Sequence, residues 1–383
     1  MKILRIIARL NIGGPARNAV ILTEGFSDTV LVCGEVDKAE GDMMYLAREK
    51  GMKPIIVEEL GRELSWKDDW SAFWKIYKII CREKPDIIHT HTAKAGALGR
   101  MAGILYNLNK PRRMPAFGEA TYAVLIHTFH GHVFSGYFGK IKTVFFIWTE
   151  KILALFTDKI ITVSRNLKDE LAHKYRIALE KKIEVIELGF ELDELFALPL
   201  KESSEVINIG IVGRLVPIKN HKMLFRACRA GLNLPYRIIV VGDGELRCDL
   251  EKYAEELGMC DKIKFKGWVK DLKAIYEELD IVALTSLNEG TPVSLIEAMA
   301  SGRPVITTNV GGVKDIVEDN KSGYLVESGD EESFSQKLMD LIKDSEKRKK
   351  FGEYGRNIVK NRFSKERLIK DTGTLYNNTL QKK

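Results

Sequence analysis

The chain has 383 residues, 45% of them hydrophobic, with 60 lysines and arginines against 53 aspartates and glutamates. That length is long for one domain and comfortable for two. The net charge of +7 suits anionic substrates or an anionic surface and is too small to argue for nucleic acid. The five scattered cysteines, Cys33, Cys81, Cys228, Cys248 and Cys260, fit a reducing cytoplasm and not a disulfide framework. No apolar run approaches the ~20 residues of a membrane span, so a soluble or at most peripheral protein is expected.

In chain order, the first predicted strand is "KILRIIARL", whose apolar stretch Arg5 and Arg9 interrupt, a strand pattern and not a signal peptide. Gly13 and Gly14 follow, and Pro15 can open a helix. Such a turn lets backbone N–H groups approach an anion at a helix start; tight turns that bind nothing are as common. Further strands are predicted at "TVLVCGEV", "KPIIVEEL", "PDIIHTHT", "LIHTFHG", "KIITVS" and "KIEVIELG". His89 and His91 alternate on one strand, and His127, His130 and His132 cluster around "HTFHGH". No cysteine or acidic partner stands at structural-zinc spacing. A single functional histidine at a strand end, His130 before Gly131, is the better reading, and the other histidines are expected in strands or loops. The stretch "GYFGKIKTVFFIWTEKILALF", 136–156, mixes aromatics with lysines. It reads either as a membrane-facing helix or, the commoner cause, as a helix packed on the sheet by its aromatics.

Residues 191–205, "ELDELFALPLKESSE", read as a linker between a first domain, 1–190, and a second, 206–362. The second half restarts the rhythm with strands at "VINIGIVGRL", "YRIIVVGDG", "KIKFKGWV", "DIVALTS" and "RPVITTN". Twelve near-continuous apolar strands alternating with helices predict an α/β protein with two Rossmann-like, doubly wound parallel sheets. Ligands in such sheets lie beyond the carboxyl ends of strands. There stand Gly213, Arg214 and Lys219, a fork and a point charge suited to a diphosphate. The pair Gly242 and Gly244 lacks the third glycine of a dinucleotide fingerprint. In "NEGTPVSLIEAMASGRP", 288–304, Pro292 suits a first helical turn and Gly302 with Pro304 a helix end. Glu289 then lies in the strand-to-helix loop, and Glu297 ~7.5 Å along the helix. A carboxylate at each end with free N–H groups between suits an elongated polyol-phosphate ligand; an amphipathic helix with solvated glutamates gives the same spacing. No nucleophile elbow, Walker loop or Asp-x-Asp metal anchor is found, so Arg214, Lys219 and helix ends are left to neutralise a leaving phosphate.

Taken together, Gly13-Gly14, "PDIIHTHTAKAGALGRMAG", "HTFHGH", "ITVSRNLKDEL", "GRLVPIKNH", "VVGDGELR", "FKGWVKDL", "NEGTPVSLIEAMASGRPVI" and "VGGVKDIV" run in order over nearly the whole chain. They resemble the GT-B glycosyltransferases of the retaining family 4. The resemblance implies two Rossmann-like domains facing a central cleft, with the final helix, 363–383, packing back on the first. It implies a nucleotide sugar, with UDP the commonest, as substrate and no metal or other cofactor. By motif match, Arg214 and Lys219 grip the diphosphate, with Gly13, Gly14 and Gly213 backbone beside it. Glu297 holds the ribose; Glu289, Gly290, Thr291 and Pro292 hold the sugar. Trp268 and Val269 read the base. His130 sits near the sugar's C6 hydroxyl or the reacting centre. The expected acceptor is a polysaccharide, lipopolysaccharide or lipid-linked saccharide, reached in the cytoplasm or at the inner face of the membrane. Lys110, Arg112, Arg113, Lys140 and Lys142 could assist such contact, and the loop 107–124 could serve the acceptor. A GT-B sugar epimerase, or a non-catalytic sugar-nucleotide-binding subunit, are the other readings.

Overall fold

The computed structural model describes residues 1–11, 13–36, 42–61, 65–109, 122–131, 140–201 and 204–382. His132, Lys110, Arg112, Arg113 and most of the loop 107–124 lie outside them. The side chains of Lys140 and Lys142 are likewise outside the description. The chain divides into two units, Met1–Phe190 with Lys365–Lys383, and Glu191–Ser364.

The first unit is a seven-stranded sheet built from β1 (Ile3–Arg9), β2 (Thr29–Gly34), β3 (Ile55–Ile56), β4 (Ile87–His91), β5 (Val124–Phe129), β6 (Lys159–Thr162) and β7 (Ile183–Val185). Its order is β3-β2-β1-β4-β5-β6-β7, and every pairing is parallel. The chain runs outward from β1 in one direction and then restarts at β4 in the other, leaving a topological switch point between them. β1, β4 and β5 are buried along almost their whole length because helices cover both faces. On one face the helix Ala93–Leu108 approaches very closely. A side-chain carbon on Gly96 would stand 2.4 Å from His127, on Gly99 2.7 Å from Thr90, and on Gly103 2.6 Å from Leu125. The small residues of "AKAGALGRMAG" thus serve backbone-to-sheet packing. On the other face lies the C-terminal helix, Lys365–Leu380. It buries Leu368, Leu375 and Tyr376 against Ile3, Ile87, Val124 and Ile126.

The second unit repeats the plan with β8 (Ile207–Val212), β9 (Tyr236–Val241), β10 (Ile263–Gly267), β11 (Ile281–Leu284), β12 (Val305–Thr308) and β13 (Gly323–Val326). Their order is β10-β9-β8-β11-β12-β13, again all parallel, with the switch point between β8 and β11. Each unit is thus a Rossmann-like α/β domain.

Three details depart from expectation. β13 is a thirteenth strand: four residues inside a polar stretch are too short to show a period. The strand read from "KPIIVEEL" shrinks to Ile55–Ile56 followed by a tight turn at Glu58–Leu60, since an edge strand has only one neighbour to pair with. The segment read as a linker is packed at its start. Its short helix Asp193–Phe196 buries Leu195 and is flanked by buried Leu192 and Leu198. Arg356 and Arg303 donate to the carbonyls of Leu198 and Pro199 at 2.7 and 2.9 Å. Leucine content outweighs the proline and the charges there.

Candidate functional site

At the carboxyl end of the first sheet, the in-register neighbours are Arg5 with His89 and Ile7 with His91, and His91 with Thr128. Neighbours in register share a face, so Arg5, His89, His91 and Thr128 form one polar group in the sheet. Arg5 is fully buried. The two hydrogens of its NH1 are shared among His89 Nδ1 at 2.8 Å, Tyr376 Oη at 3.2 Å and His91 Nε2 at 3.3 Å, and its NH2 donates to the Leu22 carbonyl at 3.3 Å. His89 also meets Tyr376 Oη at 2.5 Å and Thr128 Oγ1 at 2.7 Å. His91 Nδ1 lies 2.9 Å from His130 Nε2. On the opposite face, His127 Nδ1 lies 2.8 Å from Thr90 Oγ1. Burial is the main reason that His89, His91 and His127 hold their protons far more weakly than a free imidazole. The same cause brings His130 down to about 3. All four are neutral at physiological pH.

The histidines bind one another, Arg5 and hydroxyl groups and do not converge on a common point. Among the described residues no cluster of histidine, cysteine or carboxylate could hold a metal ion. Next to them, Thr92 adopts φ 66°, ψ 158°, a region almost reserved for glycine; such strain persists only where the surroundings impose it. Gly13 caps the helix Gly14–Glu24 and, having no side chain, supplies no side-chain cap to its first N–H groups.

At the carboxyl end of the second sheet, β8 runs out at Gly213 and the chain makes a tight turn, Pro217–Lys219, before the helix His221–Arg229. The exit of β11 fastens that turn. Thr285 Oγ1 donates to the carbonyls of Lys219 and Asn220, at 3.1 and 3.0 Å, and the Leu287 amide donates to Ile218 at 2.8 Å. Lys219 reaches across Gly213, with its Cε 3.7 Å from where a Cβ would stand, and its Nζ meets Glu289 Oε1 at 2.5 Å. Ser286 Oγ donates to the same oxygen at 2.6 Å. Two residues chosen separately from the sequence are therefore direct partners. Arg214 is exposed.

The loop Gly290-Thr291-Pro292 leads into the helix Val293–Ala300. Pro292 is its cap and not its first residue, with its side chain buried. Glu297 is buried, not solvated, and its Oε2 accepts from Tyr276 Oη at 2.9 Å. The backbone of Glu289 is held from β12: the Gly312 amide donates to its carbonyl at 3.0 Å, and Gly311, at φ 53°, lies so close that a Cβ would fall 1.9 Å from that oxygen. Trp268, exposed, and Val269 follow β10 directly.

Sequence reasoning missed Arg5 and Tyr376, because a strand arginine and a tyrosine near the end of the chain carry no shared motif. It also missed Ser286, three residues before its partner Glu289, and Tyr276, which meets Glu297 from a separate helix. The one visible signal was the glycine pair Gly311-Gly312. The aromatics of 136–156 are also corrected. In the helix Lys140–Phe156, Leu153, Ala154 and Glu150 face inward, while Phe145 is 67% and Trp148 62% exposed. Glu150 takes the inner position because it pairs with buried Arg100 through both oxygens, at 2.8 and 2.7 Å.

Comparison with known proteins agrees with this geometry. Residues 28–194 match the family described as Glycosyltransferase Family 4, and residues 197–358 match Glycosyl transferases group 1. The chain is 30% identical to the UDP-Gal:alpha-D-GlcNAc-diphosphoundecaprenol alpha-1,3-galactosyltransferase of Escherichia coli, over 77% of this chain and 76% of that one. It is 27% identical to the capsular polysaccharide biosynthesis glycosyltransferase CapM of Staphylococcus aureus, over 92% and 96%. Among solved structures, Anabaena Alr3699/HepE in complex with UDP superposes with a TM-score of 0.80 at 18% identity, over 99% and 100% of the two chains. The fold is GT-B, and the chain belongs to the group 1, family 4 glycosyltransferases.

Proposed function

We propose that this glycosyltransferase takes its sugar from a nucleoside diphosphate sugar, with uridine as the base, and passes it with retention to a lipid-linked or polysaccharide acceptor of the cell envelope. The observation that carries the reading is the Lys219–Glu289 pair at the β8/β11 switch point, beside the helix that carries buried Glu297. Without ligand the two charges neutralise each other. An incoming diphosphate would take the ammonium of Lys219, with Arg214 as the second cation. Glu289 would then be free to accept hydroxyl groups of the sugar, with the Gly290-Thr291-Pro292 backbone alongside. Glu297, oriented by Tyr276, suits the ribose diol, and Trp268 and Val269 suit the base. Within the first unit, Gly13 and Gly14 stand at a helix start suited to an anion, and His130 offers a neutral imidazole. Fixed cations and N–H groups aimed at a leaving phosphate are the means of charge stabilisation open to these residues, and no metal ligand set is assigned. The names of the E. coli and S. aureus relatives support the choice of donor and acceptor class.

The test is a panel of UDP-, GDP- and ADP-sugars, each offered with lipid-diphosphate saccharides and with free glycans, with the product's anomeric configuration read by NMR. Turnover of a GDP- or ADP-sugar alone would sink the uridine assignment. Donor binding without transfer to any acceptor would favour a binding subunit, and epimer formation without acceptor an epimerase.

A lipid-linked acceptor also accounts for the exposed face of the helix Lys140–Phe156. Val144, Phe145, Trp148, Ile152, Leu155 and Phe156 are all exposed and fall within an arc of about 120°, with Lys151 Nζ 5.4 Å from the Trp148 ring centroid. A helix with an apolar stripe edged by cations lies in the interface of a bilayer. Among the described residues no helix is long and apolar enough to cross one. Flotation with anionic vesicles should carry the protein, and Phe145→Glu with Trp148→Glu should leave it in solution.

A further inference from the structure

Arg5 is a buried cation whose partners are all uncharged: two imidazoles, a tyrosine hydroxyl and a carbonyl. A buried charge of this kind is costly and ordinarily carries a carboxylate. Its effect on its neighbours gives it a purpose. A guanidinium has N–H donors and no lone pair, so each imidazole nitrogen facing it must present a lone pair. For His91 that nitrogen is Nε2, at 3.3 Å. The one proton of neutral His91 therefore sits on Nδ1 and is donated to His130 Nε2, 2.9 Å away. His130, having accepted at Nε2, carries its own proton on Nδ1. That nitrogen is shielded from solvent and has no hydrogen-bond partner in the structure. An orphaned buried donor of this kind is retained where a ligand completes it.

We propose that Arg5, acting through His91, is a positioning residue that locks His130 as a neutral donor with its N–H on Nδ1, kept for an oxygen of substrate at the carboxyl end of the first sheet. The proposal rests on His130 being a substrate-facing residue, as in the function above. A carboxylate in place of Arg5 would draw the His91 proton toward itself and reverse the relay, as acid–imidazole pairs do. Arg5 fixes the opposite tautomer. The arrangement also removes His130 from proton transfer. To take a proton at Nε2 it would set N–H against N–H at His91, and His91 could yield only by turning its proton onto Arg5. The low proton affinities of both rings, caused first by burial, agree. Tyr376 closes the chain from the C-terminal helix: its hydroxyl is placed to accept from Arg5 and donate to His89 Nδ1, which sends the His89 proton to Thr128.

The first experiment is a long-range ¹H–¹⁵N spectrum of the full chain labelled at histidine, at pH 7.5, with the His130 signals identified by their loss in His130→Asn. A protonated Nδ1 with an unprotonated Nε2 is expected; the reverse tautomer overturns the proposal, and this result needs no Arg5 variant to fold. The second is a double-mutant cycle read in kcat/KM. Asparagine places an N–H donor where Nδ1 stands and has no tautomers. Arg5→Met alone should lower kcat/KM about tenfold, the worth of one hydrogen bond, and add an acid limb to its pH profile. In the His130→Asn background it should change kcat/KM less than twofold. Equal losses in both backgrounds would make Arg5 a merely structural residue and overturn the relay. Full activity in His130→Ala would instead sink the placement of His130 against the substrate, while leaving the observed tautomer standing.

Discussion

The two units share one topology and differ in how they hold charge at the same place. At the switch point of the first, polar groups are sealed in: Arg5, His89 and His91 are fully buried, and their partners are neutral. At the switch point of the second, a cation and a carboxylate face each other at a half-open surface, Lys219 with Glu289, and Arg214 stands exposed. The contrast is a physical one. Sealed groups with neutral partners give fixed direction and little response to pH or salt near neutrality. A partly solvated ion pair can be opened by a ligand that competes for its cation. A single fold thus presents one switch point built to orient and one built to exchange partners.

The largest effect that would break this comparison is acidification. An unfolded imidazole takes up a proton near pH 6.5, whereas folded His130 waits until about 3 and His221 until about 4, both chiefly through burial. Below pH 6.5 the unfolded chain therefore binds more protons, and stability falls with pH until the folded groups titrate. Each such group contributes a slope of up to ~1.4 kcal/mol per pH unit. The first unit carries four depressed histidines, His89, His91, His127 and His130, and the second has His221. Hydrogen exchange read by mass spectrometry from pH 7 to 5 should show β4 and β5 losing protection well before β8 and β11. Equal loss in both units would mean that the imidazoles are solvated in solution. Next in size is Glu150→Gln. It strands the buried guanidinium of Arg100 and should cost ~3–5 kcal/mol, lowering the melting temperature of the first unit while nucleotide binding to the protein that remains folded is unchanged.

For the second unit the expected loss is in turnover. Lys219→Ala should lower kcat about 100-fold, in the range seen when one fixed charge-stabilising donor is removed. The melting temperature should move little, since Lys219 is partly exposed and pairs of that kind contribute ~0–1 kcal/mol. Near-normal kcat in folded Lys219→Ala would place the phosphate elsewhere. The same variant with a bulky shift in melting temperature would mean that the Lys219–Glu289 pair serves the fold.

What could be read from the sequence follows this difference between the units. Both sheets were legible because near-continuous apolar runs between helices leave few alternatives, and only the four-residue β13 and the edge β3 escaped or shrank. In the second unit, Gly213, Arg214, Lys219, Glu289 and Glu297 sit in short contiguous motifs just after strands, so their grouping could be read locally. The pairing of Lys219 with Glu289, seventy residues apart, could not. In the first unit the relay joins Arg5, His91, His130 and Tyr376 across the length of the chain, and only the sheet order and the return of the last helix bring them together. The outward aromatics of Lys140–Phe156 were misread because a core stripe and a membrane stripe have the same helical period. What separates them is Glu150, whose burial depends on an arginine fifty residues earlier.

The finest distinction concerns Glu297, a carboxylate of the second unit that is sealed in the manner of the first. By the rule of the sealed groups its task is direction: Tyr276 donates to its Oε2 and fixes the plane of the carboxylate. Glu297→Gln keeps the shape and an oxygen that Tyr276 can reach, but replaces one acceptor with a donor. Nucleotide affinity should then fall about tenfold, the loss expected when one charge-assisted hydrogen bond is removed, with kcat at saturating donor and the melting temperature nearly unchanged. Tyr276→Phe removes one orienting hydrogen bond and should cost less, about threefold, because the carboxylate itself remains. Isothermal titration with UDP orders the two variants. A larger loss in Tyr276→Phe than in Glu297→Gln would make the tyrosine the group that meets the nucleotide and Glu297 its support. Unchanged affinity in both would return Glu297 to the fold, as a buried acid satisfied from within.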